Sequence, residues 1–150
     1  MSRGTVLWPD TETSGAIRAL WETLAQMGIP SAVHTHRLHQ PHVSLAVAED
    51  LPVQETLNAV GRVPTARIHL SIEAAGVFPG GILFLACVAN QELLVEQRRV
   101  QLAVSSLAVD PWPHFEPGAW TPHITMGWPL TQAELAQALP VILDALPLKG

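Results

Sequence analysis

The alternation of apolar and polar residues predicts a strand at two places where the same short pattern recurs. Residues 41–45 read Pro-His-Val-Ser-Leu, and residues 122–126 read Pro-His-Ile-Thr-Met. Side chains on a strand alternate between its two faces, so each segment buries its two apolar residues and turns the histidine and the hydroxyl together to the opposite face. We therefore expect two imidazoles and two hydroxyls to converge in one cleft.

The remaining periodicity predicts four helices and further strands around these two segments. The predicted strands cover residues 5–8, 42–48, 67–73, 82–88 and 120–126. The predicted helices cover residues 16–27, 53–60 and 91–107, and a fourth that begins at the capping box of residues 131–134. Turns or loops are expected at residues 76–81 and 110–117, and Pro140 is expected to kink or interrupt the last helix.

The two halves of the chain show the same order of predicted elements, which indicates an internal duplication. Each half runs strand, helix, histidine-bearing strand, helix, and the two motif histidines are 81 residues apart. This order predicts an α+β fold, a single domain over residues 1–150 made of two pseudo-symmetric lobes that flank a cleft. Because the strand at 67–73 has no counterpart before Gly150, we expect the C-terminal strand to be missing from this chain.

Composition narrows the class of protein. The chain has 150 residues, of which 48% are hydrophobic and 14% charged, enough for one globular domain with a real core. No apolar run approaches the roughly 20 residues of a membrane helix. The first residues lack the apolar core of a signal peptide. The single cysteine, Cys87, lies in an apolar run and is expected to be buried and unreactive, so we expect a cytoplasmic protein.

The charge argues against a long nucleic-acid ligand. The formal net charge is −5, with only eight lysines and arginines. Tight binding of long nucleic acid needs a basic stripe that neutralises several phosphates. The only basic doublet, Arg98-Arg99, is interpreted as a solvated helix face. A nucleotide substrate would therefore be small, or would be contacted only at its end.

Paired histidines suit displacement at phosphorus. Imidazole has an ordinary pKa near 6.5, so at neutral pH one ring can be neutral and the other protonated. Of the pair His42 and His123, one would take a proton from the nucleophile and the other would give one to the leaving oxygen, each role being worth about 10²–10⁴ in rate. The hydroxyls of Ser44 and Thr125 would bind the non-bridging oxygens. This chemistry requires no metal and no cofactor.

The histidines outside the two motifs raise the alternative of a metal site. His34, His36 and His39 precede His42, and His-x-His is a frequent zinc spacing. The cluster contains no carboxylate or thiol, so a polar loop is favoured and a zinc hydrolase is the outside alternative. The sequence leaves open whether His36 or Arg37 reaches the substrate. Two further histidines are expected to face solvent: His69 and His114.

Several aromatic residues could stack on a nucleobase. Trp21 lies on the apolar stripe of the first helix and is assigned to the core. Phe78 and Trp128 are the best stacking candidates, because they stand at a turn and at the exit of a motif strand. For Trp112 and Trp120, packing under loops is favoured.

The paired His-x-(Ser/Thr)-apolar motifs resemble those of the two-histidine phosphoesterases, which include 2′-5′ RNA ligase-like proteins and cyclic nucleotide phosphodiesterases. Residues 6–10, 76–78 and 82–87 are weaker matches to the same family. The resemblance implies a bilobal fold of two antiparallel-rich sheets with flanking helices and a central cleft. It also implies metal-independent cleavage of 2′,3′-cyclic phosphates or of ADP-ribose 1″,2″-cyclic phosphate, or transesterification at 2′-5′ RNA linkages.

The resemblance also implies roles for individual residues. His123 would activate water and His42 would protonate the leaving oxygen, with a phosphate clamp formed by Ser44 and Thr125. Two aromatic residues would lie near the ligand: Phe78 and Trp128.

Two departures from the family pattern bear on the substrate. Ser44 replaces the commoner threonine and keeps the hydroxyl. Gly127-Trp128 stands where RNA ligase-like members often carry a basic residue. With the acidic charge, this favours a small cyclic nucleotide over an RNA terminus. A 2′-5′ RNA ligase or RNA-end processing enzyme remains the alternative enzyme, and a non-catalytic nucleotide- or RNA-binding module is the alternative outside catalysis. No membrane and no obligate protein partner is expected.

Overall fold

A computed structural model describes residues 2–34, 39–61 and 67–150. The strands among these residues are β1 (Arg3–Leu7), β2 (Val43–Asp50), β3 (Ser71–Phe78), β4 (Ile82–Cys87), β5 (Val109–Pro111), β6 (His123–Gly127) and β7 (Leu148–Lys149). The helices are α1 (Thr11–Gln26), α2 (Val53–Val60), α3 (Gln91–Val104) and α4 (Gln132–Ala145). Short 3₁₀ turns occur at Ala32–His34 and Pro113–Phe115. In the described part of the chain, no helix is long and apolar enough to cross a membrane.

The strands form two sheets. One has the order β1-β2-β5, and the other has the order β6-β4-β3-β7. The pairs β2–β5, β3–β4, β3–β7 and β4–β6 are all antiparallel. The expected α+β fold with two antiparallel-rich sheets and flanking helices is therefore confirmed.

The chain divides into two compact units that do not follow the two halves of the sequence. The first unit takes the described residues of Met1–Leu7, Ser44–His69 and Ala89–Pro122, and the second takes those of Trp8–Val43, Leu70–Val88 and His123–Gly150. Helix α1, from the first half, therefore belongs to the unit of the four-stranded sheet, where it packs on α4. Helix α3, from the second half, belongs to the other unit, where it packs on α2.

The core of the second unit lies on one face of the four-stranded sheet. Leu83 and Leu85 of β4 are fully buried. Ile124 and Met126 of β6 are buried in the same way. Apolar residues of the two helices in this unit are also fully buried: Ile17, Leu24, Ala138 and Ile142. Each large side chain of this kind contributes roughly 1.5–3 kcal/mol by burial, so this face is held tightly and the alternate positions of β4 and β6 are turned away from it.

One predicted strand and the turn after it are displaced along the chain in the structure. A strand was expected at residues 67–73 followed by a turn at 76–81, but β3 runs from Ser71 to Phe78 and only residues 79–81 form the turn. Glycine usually interrupts a strand, which is why the sequence predicts that Gly76 belongs to the turn. Its place inside β3 has a packing reason, because a β-carbon there would collide with the Phe84 ring.

The C-terminal part of the chain also departs from prediction. Helix α4 is not interrupted at Pro140, the second of the two outcomes expected there, because burial of the flanking Ala138 and Ile142 offsets the hydrogen bond that proline removes. The predicted capping box is present, with Thr131 and Glu134 bonded to each other's backbone N–H. Two short strands were not predicted, β5 in the proline-rich stretch and β7 near the end of the chain, where Gly150 and Leu70 exchange two backbone hydrogen bonds.

Candidate functional site

The two motif histidines belong to the same compact unit but are held by different parts of it. His42 stands immediately before β2, and His123 is the first residue of β6. Both lie within the second unit, and both are half-buried. Each imidazole is therefore accessible while its backbone is anchored to regular structure.

A backbone hydrogen bond sets the protonation pattern of His42. Its Nδ1 lies 2.7 Å from the carbonyl oxygen of Gln40. A carbonyl oxygen can only accept, so Nδ1 must carry the hydrogen. The neutral ring then presents Nε2 as an acceptor, and the protonated ring presents Nε2–H as a donor. The tether thus assigns acid or base chemistry of His42 to Nε2.

A second histidine lies against His42. The ring of His39 is 5.3 Å from that of His42, centroid to centroid, with an interplanar angle of 73°. The same His39 ring lies 5.4 Å from the indole of Trp21 at 34°. Trp21 is 2% exposed, which confirms its assignment to the core. His42 is therefore linked by ring contacts, through His39, to a buried position of α1.

His123 lies among phenylalanines, in an aromatic cluster that consists of Phe78, Phe84 and His123. The Phe78 and His123 rings are nearly perpendicular, with centroids 4.9 Å apart at 82°, and the Phe84 ring lies 5.5 Å from His123 at 66°. Phe78 and Phe84 stack on each other at 4.1 Å and 24°. The structure thus brings the predicted residue Phe78 into contact with His123, and Phe84 covers one face of the Phe78 ring.

Thr125 shares the accessible face of β6 with His123. Both are half-buried, whereas the intervening Ile124 and the following Met126 are 1% and 0% exposed. The predicted alternation of this motif is therefore confirmed. Across the sheet, His123 pairs with Ala86, and Thr125 pairs with Phe84. The imidazole and the hydroxyl consequently stand two positions apart along one strand.

The end of β6 explains the glycine that follows the second motif. A β-carbon on Gly127 would collide with the backbone carbonyl of Pro30, so only glycine allows this approach of the two segments. The next residue, Trp128, is 45% exposed. An exposed indole directly after the motif strand is compatible with its predicted stacking role.

Ser44 lies in the first unit, as the second residue of β2. It is half-buried between Val43 and Leu45, which are 0% and 1% exposed, so the predicted alternation holds in the first motif as well. The buried indole of Trp120 donates a hydrogen bond of 3.1 Å to the Ser44 carbonyl. Trp120 is therefore packed in the protein, as expected, and its hydrogen bond also holds the motif strand.

A buried amide holds the next residue of this strand. The Nε2 group of Gln97, which is 1% exposed, donates to the carbonyl oxygens of Leu45 (3.1 Å) and Phe115. Because Gln97 comes from α3, the helix fixes the start of β2. The sequence offered no signal for this role, since a glutamine on a helix is ordinarily exposed.

The predicted alternative of a zinc site can be examined only for the described part of the histidine-rich stretch. Among residues 2–34, 39–61 and 67–150, no group of three or more His, Cys, Asp or Glu side chains is arranged to hold a metal ion. His34 ends a 3₁₀ turn and is exposed. His36 and Arg37, whose approach to the substrate was left open, lie outside the described residues.

The remaining predictions for titratable groups are confirmed, with one exception. His69 and His114 are exposed, and the His69 backbone N–H donates to Glu92, which lowers the pKa of that carboxyl. Burial raises the pKa of the Cys87 thiol to about 12, as expected for an unreactive cysteine. The exception is Arg99, which is not simply solvated because it pairs with the buried Glu96 and donates to the Val60 carbonyl at 2.8 Å.

Two residues of this region were missed by sequence reasoning. Phe84 was treated as one position of an apolar run, although its alternation with Leu83 and Leu85 could have placed it on the histidine-bearing face. His39 was assigned to a polar loop, and no periodicity exists there to indicate its contact with Trp21. Trp112, for which packing under loops was favoured, is half-buried, and its indole donates to Glu49 at 3.0 Å.

Comparison with known proteins places these features in a family. The family model of the 2′-5′ RNA ligase superfamily matches residues 4–149. Among solved structures, the PDE domain of MHV ns2 is similar at 15% identity, with a TM-score of 0.54 over 81% of this chain and 77% of that chain. Usb1 of Kluyveromyces marxianus is similar at 12% identity, with a TM-score of 0.44 over 96% and 87% of the two chains. A second Usb1 structure, with uridine monophosphate, has a TM-score of 0.46 at 12% identity over 97% and 88%. No curated protein matches the chain.

Proposed function

The chain belongs to the 2′-5′ RNA ligase superfamily, and on this premise we propose that it is a metal-independent phosphodiesterase. Its substrate would be a small 2′,3′-cyclic phosphate or ADP-ribose 1″,2″-cyclic phosphate. The observation that carries this proposal is the pair of half-buried histidines in one unit, each followed two residues later by a half-buried hydroxyl.

The two histidines divide the proton transfers. His123 takes a proton from water as the water oxygen forms a bond to phosphorus. His42 gives its Nε2 proton to the ribose oxygen as the phosphorus–oxygen bond of the ring breaks. The Nδ1 tether of His42 to the Gln40 carbonyl supports this role, because it directs the transferable proton to Nε2. Since one ring must be neutral and the other protonated, turnover is expected to have a bell-shaped pH profile.

Hydroxyls and aromatic rings supply binding. Thr125, on the same strand face as His123, and Ser44 would donate to the non-bridging oxygens of the phosphate. Trp128 and the uncovered face of Phe78 would stack on the base. Because Phe84 covers the other face of Phe78, that ring can take a base on one side only.

Charge supports a small substrate. The chain carries a net charge of −5. Of its few cations, Arg99 is held by Glu96, and Arg3 pairs with Asp50 at 3.3 Å. With eight lysines and arginines in the whole sequence, neutralising several backbone phosphates of an RNA is not expected. Membership of the 2′-5′ RNA ligase superfamily nevertheless supports one alternative, a 2′-5′ RNA ligase or RNA-end processing enzyme.

The test is product formation from a panel of nucleoside 2′,3′-cyclic phosphates and ADP-ribose 1″,2″-cyclic phosphate in excess EDTA. His42→Ala and His123→Ala should each lower kcat by about 10²–10⁴. His69→Ala is the matched control, because it makes the same change at an exposed histidine, and it should leave turnover unchanged. The product isomer identifies the leaving oxygen.

Other outcomes of this test separate the alternatives. Turnover that survives both motif substitutions would refute the two-histidine mechanism, and turnover abolished by EDTA would favour a metal-dependent enzyme. Reaction only with oligonucleotides that carry 2′-5′ linkages or cyclic phosphate ends would favour RNA-end processing. Binding of a nucleoside 2′-phosphate without any turnover would identify a binding module.

A further inference from the structure

His39 lies between a core tryptophan and a motif histidine. We propose that His39 is a positioning residue for His42: its ring, held against Trp21, keeps the His42 imidazole in the orientation in which Nδ1 donates to the Gln40 carbonyl. The consequence for turnover rests on the catalytic role proposed for His42 above, whereas the effect on ring orientation does not.

The anchor of this arrangement is the Trp21 indole. Trp21 is 2% exposed, and it lies in α1 between the fully buried residues Ile17 and Leu24. The Ser31 hydroxyl donates a hydrogen bond of 2.7 Å to the Trp21 carbonyl, which ties the helix to the segment that leads towards His39. The indole therefore cannot shift without disturbing the core. It offers His39 a rigid surface.

The contact geometry transmits this rigidity to His42. His39 is tilted by 34° on Trp21, while His42 meets His39 at 73°, close to an edge-to-face arrangement. Such an arrangement matches the positive edge of one ring with the negative face of another. The hydrogen bond to Gln40 selects the nitrogen that carries the proton, and the ring contact limits rotation of the imidazole away from that carbonyl. Both constraints therefore favour the same orientation of the ring, and loss of the ring contact should weaken the selection of one tautomer.

This role depends on the shape of the His39 ring rather than on its charge. Phenylalanine also offers an aromatic face and edge, so it should preserve the contact with Trp21 and with His42. Alanine removes the ring and its contact with His42, while the Gln40 carbonyl remains in place as an acceptor. The pair of substitutions therefore separates positioning from proton transfer or electrostatics by His39 itself.

The test compares wild type, His39→Ala and His39→Phe by long-range ¹H–¹⁵N correlation of the His42 ring, at a pH about two units above the ordinary imidazole pKa near 6.5. Wild type and His39→Phe should show one tautomer, with Nδ1 protonated, and His39→Ala a mixture. In the turnover assay, His39→Ala should lower kcat about tenfold without raising KM. His39→Phe should restore most of that loss. His34→Ala, an exposed histidine of the same segment, is the control and should change neither measurement.

Several results would overturn the proposal. One is an unchanged His42 tautomer in His39→Ala, and another is a mixed tautomer in a folded His39→Phe variant. If kcat were equally low in His39→Ala and His39→Phe, His39 would instead have a proton-transfer or electrostatic role. If no substrate is turned over but the tautomer responds as expected, the proposed function fails while the positioning of His42 stands.

Discussion

The ring of Phe84 lies directly over the backbone of Gly76 on the neighbouring strand. The two residues are paired across β3 and β4, and a β-carbon added to Gly76 would collide with the Phe84 ring. This absence of a side chain lets the ring lie flat enough to stack on Phe78 and to contact His123. Gly76 is therefore a packing requirement of the aromatic cluster rather than a turn residue.

Gly76→Ala should destabilise the protein and impair the site. Displacing the Phe84 ring from a packed position is expected to lower the free energy of unfolding by about 1–3 kcal/mol. It should also lower turnover, because the Phe84 ring contacts His123. Urea denaturation and the cyclic phosphate assay measure the two effects.

Gly15→Ala provides the matched control for that substitution. Gly15 lies inside α1, and a β-carbon there would meet nothing within 4 Å. Because alanine is the better helix former, this variant should gain about 0.5–1 kcal/mol. Equal effects of the two substitutions would show that the Phe84 ring adapts and that its position is not constrained.

The strands with clear alternation could be predicted from the sequence, and those defined by contacts could not. The second motif strand and its facing residues follow from Ile124 and Met126, whose burial decides the side on which His123 and Thr125 stand. The placement of β3 failed because Gly76 signals a turn locally, whereas the covering ring that makes it a strand residue is eight positions away. The low β-propensity of glycine reflects only the local free-energy cost of placing it in a strand, and tertiary packing can override that cost.

The candidate site shows the same division. The paired motifs identified both histidines, because each motif repeats a spacing that is local in sequence. Trp120 and Gln97, which hold the strand of Ser44, come from a loop and from α3, far away in the chain. His39 was equally inaccessible, since its significance depends on Trp21 in another element. The strand placement of the motif residues could be predicted, and the residues that support them required the fold.

Trp120→Phe should weaken the first motif strand. The substitution keeps an aromatic ring and removes the indole N–H that donates to the Ser44 carbonyl at 3.1 Å. Leaving that part-buried carbonyl without its donor should cost about 1–2 kcal/mol of unfolding free energy. KM for a cyclic phosphate should rise if Ser44 binds the phosphate as proposed.

The control for Trp120 is Trp112→Phe. The Trp112 indole donates to the exposed Glu49 carboxylate, where water can replace it, so its loss should cost less than about 1 kcal/mol. Chemical denaturation of both variants tests the difference. Equal and small losses would mean that the hydrogen bond of Trp120 does not secure the strand.

Gln97→Leu tests the buried amide that joins α3 to the same strand. Leucine keeps most of the volume but leaves the carbonyls of Leu45 and Phe115 without this donor. We expect a loss of about 2–4 kcal/mol, the sum of two unsatisfied buried acceptors at the lower part of their range. Gln137→Leu, on the exposed surface of α4, should change stability by less than about 0.5 kcal/mol. A loss at Gln97 no larger than at Gln137 would contradict this account of the strand.

The Cys87 thiol should make stability fall at alkaline pH. Its pKa is raised by burial from 9.0 to about 12, so between these values the unfolded chain releases the proton while the folded chain keeps it. The unfolded state then binds fewer protons, and the free energy of unfolding decreases as pH rises, by about 1.4 kcal/mol per pH unit. This contribution is fully present below pH 9 and is lost as pH rises towards 12.

Comparison of wild type with Cys87→Ala by urea denaturation isolates the thiol, because the other titrating groups are common to both. The stability advantage of wild type should shrink by about 1.4 kcal/mol between pH of about 8 and about 10, and a constant advantage would show that the thiol is accessible to solvent in the folded protein.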